Sequence, residues 1–578
     1  MNHDGQPQLT RRQVAAGLAG TGVAVLAAAS GVLPGTDGSG SPFGPSGRDR
    51  PAGRRPADAG GFGNRDESYA SAGGQLSDAA VAPPPTLVYD TAAEAAANAA
   101  VTVPTILRTD DPALHLGRRA TFGLTPDLME EIHGAGLDGW IAAQLAPGDI
   151  PDPVADGAWA AYPLANADPA TIRASIGRYY WDAMIAYSQA TLGRQVWSRR
   201  QLFEVMVDFW ANHLNVPTPG PGSWDVAASY HDDVIRRHAL GSFTDMLLAA
   251  TAHPAMLRYL SASESTKEAV NENLGRELLE LHTVGVGSGY TEDDVRNSAY
   301  ILTGRTVVGD RGPGPESTFR YDPGKHWTGP VKVLDFAHDN ASPEGGMEVG
   351  DAYVRHLAAH PATAQTIARK LAVRFVSDLP PQPLVDRMAT AYLEGGTAIV
   401  PVLDIMFRSV EFWGAVGQKT RRPLENVTAS ARAVGVLPGT DIVKGVGALY
   451  WSAQLAGHRP LAWPAPNGYP DVQAAWRSAG GTLHMWNSHR GLVGQWHKGL
   501  GYSPPEDLVA GMPQATVGEY VDSLCQQLCQ QTFQPAHRDA LIAFVGADAA
   551  ASAGRDDLKA PLRDVAALAL DSAYFMLR

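Results

Sequence analysis

From about Asp110 to the end of the chain, apolar residues recur three and four positions apart, and strict alternation is rare. That period puts them on one face of a helix. It predicts helices over 126–134, 137–146, 169–189, 194–214, 229–239, 242–250, 266–283 and 292–304. It predicts more over 350–358, 361–376, 382–394, 399–409, 423–435, 448–455, 504–511, 516–531, 535–546 and 557–573. Thr125-Pro126-Asp127 is a helix start, with a capping hydroxyl, proline at the first helical position and an acid in the first turn. Two stretches depart from the pattern. The Gly/Pro- and aromatic-rich stretch 306–336 predicts a small hairpin or a long ordered loop. Pro460, Pro464, Pro466 and Pro470 forbid a long helix across 457–476. No fixed-period repeat is visible. The expected class is mainly α: one large helical domain over 110–578, or two lobes of it, with long Pro/Gly-rich ordered loops and at most a small hairpin.

The first 109 residues read differently. Arg11-Arg12 stands just before an Ala/Gly-rich apolar run from Val14 to Ala29, which ends in small residues. Charge, a short apolar stretch and a small-residue end predict a cleaved signal peptide over 1–29, and the arginine pair makes it the twin-arginine kind. The run is short for a membrane span, which needs about 20 apolar residues. Residues 30–109, rich in Gly, Pro, Ala, Ser and Asp, predict a flexible low-complexity spacer. The expected location is secreted or extracytoplasmic, with no transmembrane span in the mature chain.

Charge and cysteine content narrow the function. A net charge of -14 argues against a nucleic-acid partner, because phosphates need a basic field, and against broad docking to anionic lipid. Cys525 and Cys529, the only two cysteines, exclude a disulfide framework and a Cys-rich metal site. Four residues apart in a predicted helix, they are expected in the core. Serine-hydrolase elbows, phosphate loops and His-Glu-x-x-His are absent, and the single Glu-x-x-His, Glu130 to His133, lacks the second copy that a di-iron bundle needs.

Four segments carry candidate chemistry. In 199–213, Leu202, Phe203, Met206, Phe209 and Trp210 form an apolar stripe, while Glu204, Asp208 and Asn212 share another face and His213 closes the helix. From spacing alone that polar face reads as solvated. In 271–285, Leu274, Leu278 and Leu281 form a core stripe beside Asn273, Glu277 and Glu280. There Arg276 to Glu280 reads as an i,i+4 ion pair, or the acids, Arg276 and His282 form an inward cluster with shifted pKa values. In 319–330, His326 and Trp327 sit in a Gly/Pro loop of the kind that lines sites. In 463–471, Trp463 and Tyr469 stand on a Pro-rich loop that suits an extended polymer, or equally packs a long connection onto helices. The candidate catalytic residues are Asp208, His213, Glu277, Glu280 and His326; Arg276, Trp327, Trp463 and Tyr469 are the candidate substrate-binding residues.

The chain resembles the bacterial family known as domain of unknown function 1800 (DUF1800). The resemblance rests on Arg118-Arg119-Ala120-Thr121-Phe122-Gly123, Phe209-Trp210-Ala211-Asn212-His213, His253-Pro254-Ala255-Met256-Leu257 and the 271–286 block. It continues through 290–295, 302–305, His360-Pro361-Ala362-Thr363-Ala364 with Lys370-Leu371, Arg422-Pro423-Leu424-Glu425 and Ser572-Ala573-Tyr574-Phe575. It covers about 110–578. Many members have His-Asp where this chain has His326-Trp327, although His338-Asp339 lies nearby. The resemblance implies export, a mostly helical fold and a gene often beside that of a second exported protein. It brings no established reaction.

Three readings of function stay open. One is a hydrolase acting on an extracellular polymer such as a glycan, whose cleavage needs one protonated and one ionised carboxyl. Another is a non-catalytic surface or assembly protein working with a second exported protein. The third is a metal-dependent oxidoreductase with His213, Glu277, His282 and His326 as ligands. Neither the cofactor nor enzyme status is specified by the sequence.

Overall fold

The computed structural model describes residues 111–175, 181–308, 317–503 and 505–578. The expected signal peptide and spacer lie outside these residues. The described chain is mainly helical, and no helix in it is long and apolar enough to cross a membrane. The helices that matter for the site are α1 (Pro112–Ala120), α2 (Pro126–Leu145), α3 (Asp182–Trp197), α4 (Gln201–His213), α5 (Asn273–Glu277), α6 (Glu292–Leu302), α7 (Pro361–Phe375), α8 (Pro423–Ala433) and α9 (Ile442–Leu455).

Most helix starts follow the sequence signals. The Thr125 hydroxyl accepts the Leu128 amide at the head of α2, and Thr291 with Asp294 closes a capping box on α6. α2 joins two of the expected helices across a kink at Gly136, whose φ of 69° a glycine adopts without strain. The break after Trp197 is a difference from the continuous 194–214 expectation. The Asp152 carboxylate takes the Arg199 amide (3.0 Å) and the Ser198 hydroxyl, so a distant residue ends α3 before α4 begins. A second difference is Ala479–Val493, a helix whose Ala-Gly-Gly start gave no helical signal.

The strand content exceeds the single hairpin expected. β1 (Arg305–Val308) pairs with β2 (Thr318–Tyr321), β3 (Val331–Val333) with β4 (Phe336–His338), and β5 (Leu437–Pro438) with β6 (Leu500–Gly501), all antiparallel. Each is only two strands wide, so the class remains mainly α. The Pro-rich 457–476 stretch has only a short turn of helix at Gln473–Trp476.

Buried apolar side chains form two large clusters. α1, α2, α4, α5, α6 and α7 feed the first. α3, α8, α9 and the C-terminal helices feed the second, which also takes in Cys525 and Cys529, both free thiols. Leu461 packs against both clusters, so the Pro-rich loop lies where they meet.

Candidate functional site

The sequence placed Asp208, His213, Glu277, Glu280 and His326 in one catalytic group. The structure distributes them over several settings, each determined by the helix that carries the residue.

α4 is buried on almost every side, which corrects the expectation of a solvated polar face. Glu204 makes a two-pronged bond to Arg236, with both distances 2.8 Å. Asn212 exchanges hydrogen bonds with the Tyr469 backbone: its amide donates to the carbonyl at 2.7 Å, and its oxygen accepts the amide at 2.6 Å. Asp208 accepts from Arg422 at 2.6 Å and has Arg374 at 3.7 Å. Beyond it, Glu425 binds Arg374, Arg422 and Arg578, and Asp471 and Asp378 bind Lys419. Four cations and four carboxylates thus form one buried ion network, drawn from elements of both clusters. Burial pushes the Asp471 carboxyl up, but Lys419, Arg422 and Arg374 outweigh it and hold the group well below the usual range.

His213 closes α4 in a different setting. Lys370 of α7 places its ammonium 3.0 Å from His213 Nδ1 and 3.1 Å from the Leu281 carbonyl. An ammonium can only donate, so Nδ1 accepts, and Nε2–H donates to the His282 carbonyl at 3.1 Å. The neutral ring this requires agrees with a His213 pKa far below normal, lowered by burial and then by Lys370. Burial also lowers Lys370 to about 8 and His282 to about 3, and His282 Nε2 is buried without a protein partner among the described residues.

The folded-state pKa of Lys370, below its usual 10.5, sets a sign. Between about 8 and about 10.5 the unfolded chain holds a proton that the folded chain does not, so wild-type stability rises with pH across that window. Lys370→Met should lack this rise. Urea midpoints measured from pH 7.5 to 10 check it, and equal slopes for the two proteins would refute it.

Glu277 and Glu280 occupy a half-buried ridge on α5 and its continuation. At Leu278 the helix passes into a π turn, Leu278–His282. The expected Arg276–Glu280 pair does not form. Arg276 instead grips Glu292 of α6 with two bonds, 2.9 and 2.7 Å, and reaches back to Glu272 at 3.3 Å. Burial, then the charge of Glu280, pushes the Glu277 carboxyl up to about 7. Glu277 acts electrostatically on Tyr259, whose hydroxyl donates to the Pro464 carbonyl at 2.8 Å. The ridge is thereby linked to the aromatic loop. Gly275 allows α5 to lie close on α6, because a Cβ there would stand 2.8 Å from the Ala299 amide nitrogen. Gly275→Ala should destabilise the fold: overpacking costs about 1–3 kcal/mol, against about 1 kcal/mol of helix propensity gained. A urea midpoint at or above wild type would show that α5 and α6 can move apart freely.

The 463–469 loop is clamped onto the end of α4. Asn215 donates to the carbonyls of Trp463 (2.9 Å) and Ala465 (2.7 Å). Gly468, with φ of 70°, lies so close to the Asn212 carbonyl that any side chain would collide with it. Trp463 remains partly open, its ring 4.8 Å from Tyr469 and its Nε1 donating to Asn467. Tyr469 is buried, and its hydroxyl donates to the Arg459 carbonyl at 2.8 Å.

His326 and Trp327 lie apart from this ridge-and-loop region. Buried His326 has Nδ1 2.9 Å from the Thr303 carbonyl and Nε2 2.9 Å from Asn340 Oδ1. Trp327 stacks on Tyr300 at 4.3 Å. Nearby, His338 and Asp339 line an open hollow of about 590 Å³ with Lys332 and Asn297, and none of the nine candidate residues lines it. No group of three or more His, Cys, Asp or Glu side chains among the described residues is placed to hold a metal ion, so His213, Glu277, His282 and His326 are not gathered as ligands.

In the sequence, Lys370 and Arg422 are marked only by the family resemblance, and Tyr259 and Arg374 by no motif. One signal was present: Ile367, Leu371 and Arg374 fall at i, i+4 and i+7, which puts an arginine on a core stripe.

A helical body with blocks of buried charge along its length is what the fold defines. The chain belongs to the family described as Protein of unknown function (DUF1800), whose model matches residues 115–577. No curated protein and no solved structure matches the chain.

Proposed function

We propose that this chain is an exported hydrolase acting on an extracellular polymer such as a glycan, with Glu277 and Glu280 as its acid–base pair. The observation that carries the reading is the ridge itself. Two carboxyls stand three residues apart on it, and Glu277 is held to about 7 by burial and by Glu280. Glu277 thus keeps its proton near neutrality with a second carboxyl, Glu280, three residues along, and glycosidic cleavage requires a pair of carboxyls of which one is protonated. Arg276, anchored to Glu292, orients the ridge, and Trp463 offers a ring face to a sugar. Tyr469 holds the loop, and the Lys370–His213 joint fixes the end of the helix behind it. Asp208 and His326 support this reading only as structural members, since each is engaged within the protein. Incubating the chain with a panel of extracellular polysaccharides, beside Glu277→Gln, tests the proposal. Reducing ends released by wild type and not by the variant support it, and no release from any substrate defeats it.

A second reading, a surface protein docked to a second exported protein, is favoured by Trp451 and Leu455. They stand four apart on α9 and are 44% and 69% exposed. Trp451→Ser would then weaken binding to that partner while Glu277→Gln would not, and binding unchanged by Trp451→Ser counts against this reading.

A further inference from the structure

The ion network around Asp208 and Glu425 balances, but three more arginines press against it without a carboxylate. Arg118 and Arg119 come from the end of α1, and Arg421 stands two residues before α8. All three are at most 4% exposed. No Asp or Glu oxygen among the described residues lies within ion-pair distance of them. Arg118 donates to the carbonyls of Cys529 (3.2 Å) and Tyr574 (3.0 Å), Arg119 to that of Ala415, and Arg421 to that of Phe575 (3.0 Å). The Cys529 thiol supplies no counter-charge, because burial pushes it up to about 12.

Backbone carbonyls use only part of each guanidinium. Arg118 Nε, Arg119 Nε and Nη1, and Arg421 Nη1 are buried with no partner among the described residues, as is Nε of neighbouring Arg578. These side chains lie within electrostatic reach of one another: Arg119 is opposed by Arg578, Arg118 and Arg421 and drawn by Asp378, which already pairs with Lys419, and Arg421 is opposed by Arg118 and Arg578. A guanidinium does not shed its proton under ordinary conditions. An uncompensated buried charge costs several kcal/mol, and here several stand together. A terminal carboxylate on Arg578 would lower the excess by one and leave it positive.

We propose that Arg118, Arg119, Arg421 and Arg578 enclose a buried tetrahedral oxyanion, inorganic phosphate or sulfate. The planar forks of several guanidiniums match such an ion, which accepts from more than one side at once. The site lies in the buried charge between the two apolar clusters and is independent of the hydrolase reading. Its role is to join α1, the chain before α8 and the C-terminal residues through one shared counter-charge.

The test uses the full chain, exhaustively desalted into chloride buffer, then denatured, with the released anions separated by ion chromatography. About one phosphate or sulfate per chain is expected, and the peak that appears tells the two sources apart. Less than a tenth of an equivalent of both overturns the proposal. Arg119→Met should lose the ion, and release equal to wild type overturns the assigned site. Thermal melts supply an independent sign. With the ion bound, Arg119→Met melts below wild type, and added phosphate or sulfate no longer raises its melting temperature above that in chloride of equal ionic strength. Without the ion, the same substitution removes a repelled charge and melts at or above wild type, which is also an overturning result. If the variant does not fold, ion release from wild type decides alone.

Discussion

Glu425→Gln should unfold at a much lower urea concentration than wild type, a loss of about 3–5 kcal/mol of stability. Glu425 caps α8 by accepting the Arg422 amide at 2.9 Å, and its other oxygen serves Arg374, Arg422 and Arg578. The amide keeps the shape and loses the charge. Arg374 and Arg422 then keep Asp208 and Asp471, while Arg578 loses the one carboxylate within ion-pair distance among the described residues, in a region already rich in positive charge. The cost comes less from the missing bonds than from the cations left behind. Equilibrium unfolding by urea, followed by tryptophan fluorescence and far-UV circular dichroism, measures it. A loss under about 1 kcal/mol, the size of an exposed pair, would mean that water or another ion reaches the network.

Glu277→Gln should reduce hydrolysis of the polymer found in the panel by about 10²- to 10⁴-fold, the usual contribution of a positioned general acid. The pH dependence distinguishes that role from a structural one. With its carboxyl at about 7, the wild-type rate should fall as pH rises through about 7, because the proton to be donated is lost. The variant's residual rate should lack that limb. Stability gives a matching sign. The folded pKa lies above the ordinary 4.5, so from about 4.5 to about 7 the folded chain holds a proton that the unfolded chain has released. Wild type therefore loses stability across that interval and the amide variant does not. Rates that fall equally in both proteins would assign the limb to another group.

Helix existence was legible because it depends on local period. The 382–394 expectation coincides with the helix Gln382–Glu394, where stripe and boundaries agree. The break at Ser198 was not legible, since its cause, Asp152, is distant in the sequence. The same distinction governs the site. Spacing correctly put Glu204, Asp208 and Asn212 on one face, but whether that face meets water depends on Arg236, Arg422 and the Tyr469 backbone, which come from elsewhere in the chain. Arg118-Arg119 and Arg422-Pro423-Leu424-Glu425 stood out only as marks of family resemblance. Their chemistry emerges once α1, α8 and the C-terminal residues come together.

The π turn at Leu278–His282 holds one residue more than an ordinary helical turn would accommodate. Deleting any one of those residues would let the segment close into α geometry and swing everything beyond it by about 100° around the axis. The carbonyls of Leu281 and His282 would then turn away from Lys370 and His213 while the acidic ridge stayed in place. A single supernumerary amino acid therefore sets the phase between the ridge and the lysine–histidine joint, and lets one short rod serve both.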